Sequence, residues 1–457
     1  MLRTARKKGM RAALVGLATL CAASRARAEV PIFKSEDWEV FTDGRVQAFL
    51  SHGRGDTIKP SIEVQTPAGP IDVLPEGGGI NQGEALSDGP SSEQGNYVGT
   101  RVRSGFTGNI FGFGVRNKLS EHTTLKGYIH INAVIESVDR RKFETVEPDV
   151  RQGYLELAGD WGKLLAGRSF TLFSRGATEI TYLYGFRYGV GFVQSPDNLG
   201  PTGGHIGFGV LANGFSAGFV YTTPQVAGFQ LAAGVYDPSG LAGSPWERTM
   251  YPRPEGELTY DRDFGFGLVH LFFNAAWQKI QERNNTRDVT VSGLGYGGRI
   301  ELGPVHLGLA AHTGTGLGVS YAFEPSDATY GEPQQNSELR SFDGYYGQLQ
   351  VALGKIDLQT GIGITRVKPL VYDRVDFIDN DADPATAPLN DDADPTENDP
   401  LTINLLKHQF GVSAGVAYHI SDHLHFGADY FRADFRWQLA GQKQILNFFN
   451  AGLTFEW

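Results

Sequence analysis

Several stretches of this chain carry residue types that could do chemistry. Gly214 to Gly218 and Gly411 to Gly415 both read Gly-x-Ser-x-Gly, a pattern that presents a serine nucleophile when it sits on a sharp strand-to-helix turn. Gly293-Leu294-Gly295-Tyr296-Gly297-Gly298 satisfies the glycine spacing of a dinucleotide-binding turn, which needs a helix to follow it. His306 and His312 are potential metal ligands. Asp379, Asp381 and Asp383 alternate within Asp379-Asn380-Asp381-Ala382-Asp383-Pro384, echoed by Asn390 to Pro395, and alternating acids can wrap Ca²⁺ with oxygen ligands.

The elements that would have to position these residues decide most of the cases. Ser216 and Ser413 lie in alternating strands of a glycine-rich chain, and no helix follows Gly298. His306 and His312 fall on one face of a strand, roughly 20 Å apart at ~3.4 Å rise per residue, too far for one ion. No Ser/His or paired-carboxylate set stands out, so the chain reads as no enzyme, with a membrane hydrolase kept as the catalytic alternative. For the acidic segment, a solvated loop and a Ca²⁺ site both stay open.

Alternation is the dominant pattern. From Leu125 to Glu136, Leu125, Gly127, Ile129, Ile131, Ala133 and Ile135 share one face and polar residues dominate the other, the period of a strand. Similar faces recur at Phe229 to Val235, Val269 to Trp277, Val305 to Ala311 and Phe410 to Tyr418. Arg101 and Arg103 share a face of another run, whose parity slips around Gly108, so a bulge or break is expected there. Seven short turns, near Glu121, Asp160, Pro224, Gly265, Pro304, Lys355 and Asp422, alternate with eight long connections. The prediction is an all-β chain, a 16-stranded antiparallel transmembrane β-barrel of the outer membrane, with short turns on one rim and long loops on the other.

Length, charge and composition agree. Residues 1–28 read as a secretory signal: a basic start, an apolar core and Ala26-Arg27-Ala28 before the cut. That leaves 29–457 as the pore domain, 457 − 28 = 429 residues. Seven basic and no acidic residues leave with the signal, so the net charge goes from −11 to −11 − 7 = −18, which excludes nucleic acid as a partner. The sole cysteine, Cys21, lies in the signal, and no later apolar run is long enough for a membrane helix. Sixty glycines and 12% aromatics fit strands with small inward and apolar outward residues.

One connection differs from the rest. The hairpin from Val150 to Arg168 leads into a run from Ser169 to Gly204 that is rich in aromatics, among them Phe170, Phe173, Tyr182, Tyr184 and Phe186. Loops of that length are usually functional or disordered. This one has too much apolar surface to stay in water, so it is expected to pack inside the structure.

Arg103-Ser104-Gly105-Phe106-Thr107-Gly108, Arg151-Gln152-Gly153-Tyr154-Leu155, Gly167-Arg168-Ser169-Phe170, Val220 to Pro224 and the terminal Phe449 to Trp457 together resemble the trimeric general-diffusion porins of Gram-negative outer membranes. The likeness covers the mature chain in outline. It implies a homotrimer in a bilayer with lipopolysaccharide, passing small hydrophilic solutes and ions, with the third external loop folded inward to narrow the pore. It also implies basic wall residues facing that loop, with Arg103, Arg151 and Arg168 at matching positions. The loop departs from the family in offering only Glu179 and Asp197 as acids against Arg175 and Arg187, which shifts the expectation toward weak anion preference. A channel specific for a sugar or carboxylate is the alternative within transport.

Overall fold

The computed structural model describes residues 29–56, 62–66, 69–73, 75–76, 78–79, 97–106, 108–133, 135, 149–181, 202–238, 246–282, 288–323, 339–370, 404–438 and 442–457. Sixteen wall strands follow one another in chain order. They are β1 (Trp38–Gly55), β2 (Tyr97–Arg103 continued by Asn109–Ser120), β3 (Thr123–Ala133), β4 (Asp149–Gly159), β5 (Gly162–Phe170), β6 (Phe215–Thr222), β7 (Phe229–Tyr236) and β8 (Arg253–Asp263). Then come β9 (Leu268–Glu282), β10 (Asp288–Leu302), β11 (Val305–Thr315), β12 (Ser341–Leu353), β13 (Ile356–Lys368), β14 (Asn404–His419), β15 (Leu424–Trp437) and β16 (Lys443–Glu456). Each pairs antiparallel with the next, and β16 closes on β1 from Arg45↔Glu456 to Gly55↔Leu446. Closure removes the free edge that an open sheet would expose.

The alternation produces a two-sided wall. Inward positions carry glycine, alanine, polar and charged residues together with buried apolar side chains such as Phe272, Phe431 and Phe435, whereas Phe219, Leu155 and Val102 on the outward face stay 66%, 58% and 57% exposed in the single chain. Apolar area of that extent is stable only against lipid. On the short-turn rim, Trp161 stacks on Tyr221 at 6.2 Å and Phe455 on Trp457 at 5.9 Å, and Phe229 lies tilted against Tyr260 at 4.7 Å, an aromatic girdle at the membrane boundary. Among the described residues no helix is long and apolar enough to cross a membrane.

Strand β2 is broken where the sequence parity slips. Gly108 has φ +76°, and Arg103 and Asn109 end the two pieces. The break leaves carbonyls out of the ladder, and the inward side chains of β1 take them up. Arg45 donates from Nε to Gly108 O (3.1 Å) and from Nη2 to Phe106 O (2.9 Å), and Gln47 Nε2 donates to the same two oxygens.

Candidate functional site: the lumen and the connection between β5 and β6

The described parts of this connection, residues 171–181 and 202–214, lie against inward-facing side chains of the wall. The first arm is positioned by β8 and β9: the Phe173 amide donates to Glu255 at 2.7 Å and the Ser174 amide to Asn274 Oδ1 at 3.2 Å. Ser174 adopts φ 63° and starts a short helix, α1 (Arg175–Ile180), whose buried face is Gly176, Ala177 and Ile180. Gly176 fits because a Cβ there would stand 2.4 Å from the Phe272 ring. At the far end Gln348 of β12 donates to Ile180 O at 2.9 Å.

The second arm returns over β13 to β15. His205 Nε2 and Ser413 Oγ of β14 are 2.8 Å apart, the Gly209 amide donates to Thr365 of β13 at 2.9 Å, and Phe208 packs edge-on against Phe431 and Phe435 of β15. The two arms therefore line the wall from β8 to β15. Opposite them, a cavity of about 590 Å³ is lined by Glu29, Asp43, Arg116, Lys126, Tyr128, Gln152 and Tyr154, contributed largely by β1 to β4. Its charges are cross-linked: Arg116 bonds Glu29 and Glu39, Lys126 reaches Glu29, and Tyr128 donates to Asp43.

The residues singled out from the sequence take distinct positions. Arg103 is inward and buried. Arg175 on α1 bonds Glu257 of β8; burial opposes its charge, but Glu257 outweighs this and raises its pKa. Glu179 is exposed on α1. Arg151 sits where β4 slips register against β3, bonded to Asp149 at 2.6 Å and 5.9 Å from the Phe215 ring. Arg168 pairs with Gly153 and Ala217 on the outward face, the face of Leu164, Leu155 and Phe219. Arg187, Asp197, Asp379, Asp381 and Asp383 lie outside the described residues.

Three features are visible only in the structure. Arg253 of β8 is bonded to Glu255 at 2.8 Å and to Ser216 at 3.1 Å, beneath the Phe323 ring at 4.4 Å. The acids of β8 thus anchor the first arm as well as their own arginines. His205, fully buried, forms the Ser413 pair across 208 residues of sequence. Burial pushes its pKa down to about 3, and no substrate can reach it. His306 and His312 are buried and inward, and among the described residues no group of three ligands could hold a metal.

A closed sixteen-stranded barrel, apolar outside and charged within, defines an outer-membrane channel. The chain belongs to the Gram-negative porin family, whose profile matches residues 12–455. Its fold is similar to that of the outer membrane channel DcaP of Acinetobacter baumannii, with TM-score 0.61 and 13% identity over 93% of this chain and 99% of that one. It is also similar to an anion-selective porin from Comamonas acidovorans, with TM-score 0.54 and 11% identity over 92% of this chain and 100% of that one. Against curated protein sequences the chain has no significant match. The protein is an outer-membrane porin, a channel for diffusion.

Proposed function

We propose that this porin passes small hydrophilic solutes and ions without a catalytic step, through a lumen narrowed by the connection between β5 and β6, with weak anion preference. The observation that carries this reading is the asymmetry of the lumen: both arms of the connection are fastened to β8 through β15, and the cavity runs beside β1 to β4. On that side the inward faces of β1 to β3 carry Arg45, Arg101, Arg103, Arg116 and Lys126, the last two lining the cavity, and on the other side Glu255 and Glu257 are bonded to Arg253 and Arg175. Charges beside a narrow, low-dielectric passage act on ions far more than distant loop charges do, because the Debye length at physiological salt is ~8 Å.

Reconstitution in a planar bilayer tests the reading. Conductance should rise in proportion to salt, and no sugar or carboxylate should block it saturably. Saturable block by one solute would replace general diffusion with a specific channel, and turnover of an ester or lipid would replace it with an enzyme. A homotrimer is part of the proposal: unheated protein should migrate as a compact oligomer that boiling converts to a monomer. The spacing of Asp379, Asp381 and Asp383 supports a solvated loop or a Ca²⁺ site. Chelation that raises protease cleavage within 371–403 would select the site, and equal cleavage would select the solvated loop.

A further inference from the structure

The hairpin that joins β14 to β15 sets two imidazoles face to face inside the lumen. His419 ends β14, His425 is the second residue of β15, and the two are cross-strand partners on either side of the turn 420–423. Both point inward, since Tyr418 and Phe426 beside them lie on the exposed outward face. The turn is fixed: Ser421 Oγ accepts from the His423 and Leu424 amides at 3.3 and 3.0 Å, and the His419 amide donates to Lys355 O at 2.8 Å. The two rings stand at 83° with centroids 5.0 Å apart, and their Nδ1 atoms are 2.9 Å apart. Through its other nitrogen, Nε2, His419 donates to Asp357 Oδ2 at 2.9 Å, and Gln350 Nε2 donates to that same oxygen at 2.8 Å.

A carboxylate on one imidazole nitrogen fixes the tautomer and turns the lone pair of the other nitrogen toward a metal, the arrangement that orients histidine ligands. Asp357 does this for His419: the Nε2 proton goes to the carboxylate, and Nδ1 faces His425 as a lone pair. In the metal-free pair His425 Nδ1–H donates across to it; a metal ion takes the place of that proton once His425 carries its proton on Nε2. The spacing selects the ion. Two nitrogens each ~2.0–2.1 Å from one ion and 2.9 Å from each other subtend about 90°, the cis angle of a tetragonal site, whereas the tetrahedral angle preferred by zinc needs them about 3.3–3.4 Å apart. Tetragonal sites of nitrogen and oxygen suit Cu²⁺, which also leads the divalent first-row series in affinity. No group of three protein ligands for a metal occurs among the described residues, so the remaining positions fall to water from the lumen, onto which His419 is partly open.

We propose that His419 and His425, with Asp357 as positioning residue, form a Cu²⁺ site at the short-turn end of the lumen. The proposal rests on the hairpin and the barrel, not on which solutes the pore passes. The test is a titration of the untagged, detergent-solubilised porin with a copper(II) salt, read by electron paramagnetic resonance. The wild type should bind about one equivalent in a tetragonal site whose spectrum shows coupling to two nitrogens. H419Q and H425Q should each lose the two-nitrogen signal, and H423Q, whose imidazole on the turn is engaged by Glu456 O at 2.9 Å, should keep it. D357N should keep both nitrogens but bind ~10–100-fold more weakly. A compact unheated band shows that each variant's barrel is intact, and where a variant fails to fold the wild-type spectrum decides by itself. A wild-type spectrum of oxygen ligands or of one nitrogen, or two nitrogens persisting in H419Q or H425Q, overturns the proposal. D357N binding as tightly as the wild type, or loss of the signal in H423Q, overturns the assignment of these residues.

Discussion

Gln348 Nε2 donates to the carbonyl oxygen of Ile180 at 2.9 Å, while its Oε1 accepts from Tyr346 OH at 2.6 Å. The amide is held at both ends, so it ties the last turn of α1 to β12 in one orientation. Q348A leaves a buried carbonyl without its donor, a loss of about 1–3 kcal/mol. The first arm should detach part of the time. Single-channel records should show added flicker, and proteases should cut the connection faster; records indistinguishable from wild type would mean that the bond does not hold the arm.

The second arm has a pH-sensitive fastening. His205 sits between the rings of Tyr346 and Phe431, each at 4.8 Å, and its pKa is pushed down by burial to about 3. An undocked histidine titrates near 6.5. Below that pH the undocked form takes up a proton that the docked form refuses, so docking is fully stable above about 6.5 and weakens as pH falls toward 3. Reversible closures or flicker should therefore appear near pH 4 and vanish on return to pH 7. In H205Q, whose amide can still hydrogen-bond Ser413 but does not titrate, that pH dependence should flatten. A variant that responds to acid as the wild type does would remove His205 from the explanation.

Selectivity should separate arginines that the sequence alone groups together. Arg103 is buried on the inward face of β2, whereas Arg168 is on the outward face of β5. R103A should reduce or abolish the proposed anion preference in reversal potentials across a KCl gradient, and R168A should leave it within error. Arg151, held by Asp149 at 2.6 Å, should contribute little. The same shift from R168A as from R103A would contradict the assignment of faces.

The strands were legible because a lipid-facing wall imposes a strict period of two, as in Leu125 to Ala133, and because Gly108 interrupts that period where β2 breaks. The orientation of Arg168 was not. On β5 both faces are mixed: Leu164, Ala166, Arg168 and Phe170 alternate with Lys163, Leu165, Gly167 and Ser169. Hydropathy alone does not rank those two faces; the register with Ala217 and Phe219 on β6 does. Arg45 and Gln47 look like ordinary polar alternation, and their role in taking up the carbonyls of the β2 break depends on pairing across the seam. His205 with Ser413, and Arg175 with Glu257, join residues far apart in sequence, a relation that no local pattern carries.

The seam between first and last strands gives the sharpest stability test. Gly44 N donates to Trp457 O at 2.9 Å and Trp457 N to Gly44 O at 3.1 Å, so the end of the last strand completes the ladder against β1. The indole lies over Gly44: a Cβ there would stand 2.5 Å from Ile110 O and 2.6 Å from Trp457 Cζ2. Backbone on one side and a ring packed near Phe111 and Phe455 on the other give that carbon nowhere to go. G44V should therefore cost at least the ~1–3 kcal/mol of an overpacked site and weaken closure, because both seam bonds depend on the same approach. The temperature at which the compact unheated band converts to the unfolded monomer should fall. G256A on β8 is the control, since its added carbon meets only Ala232 O at 3.9 Å. W457F keeps the backbone bonds and should fall between the two. Equal conversion temperatures for G44V and G256A would show that the barrel does not depend on this contact for closure.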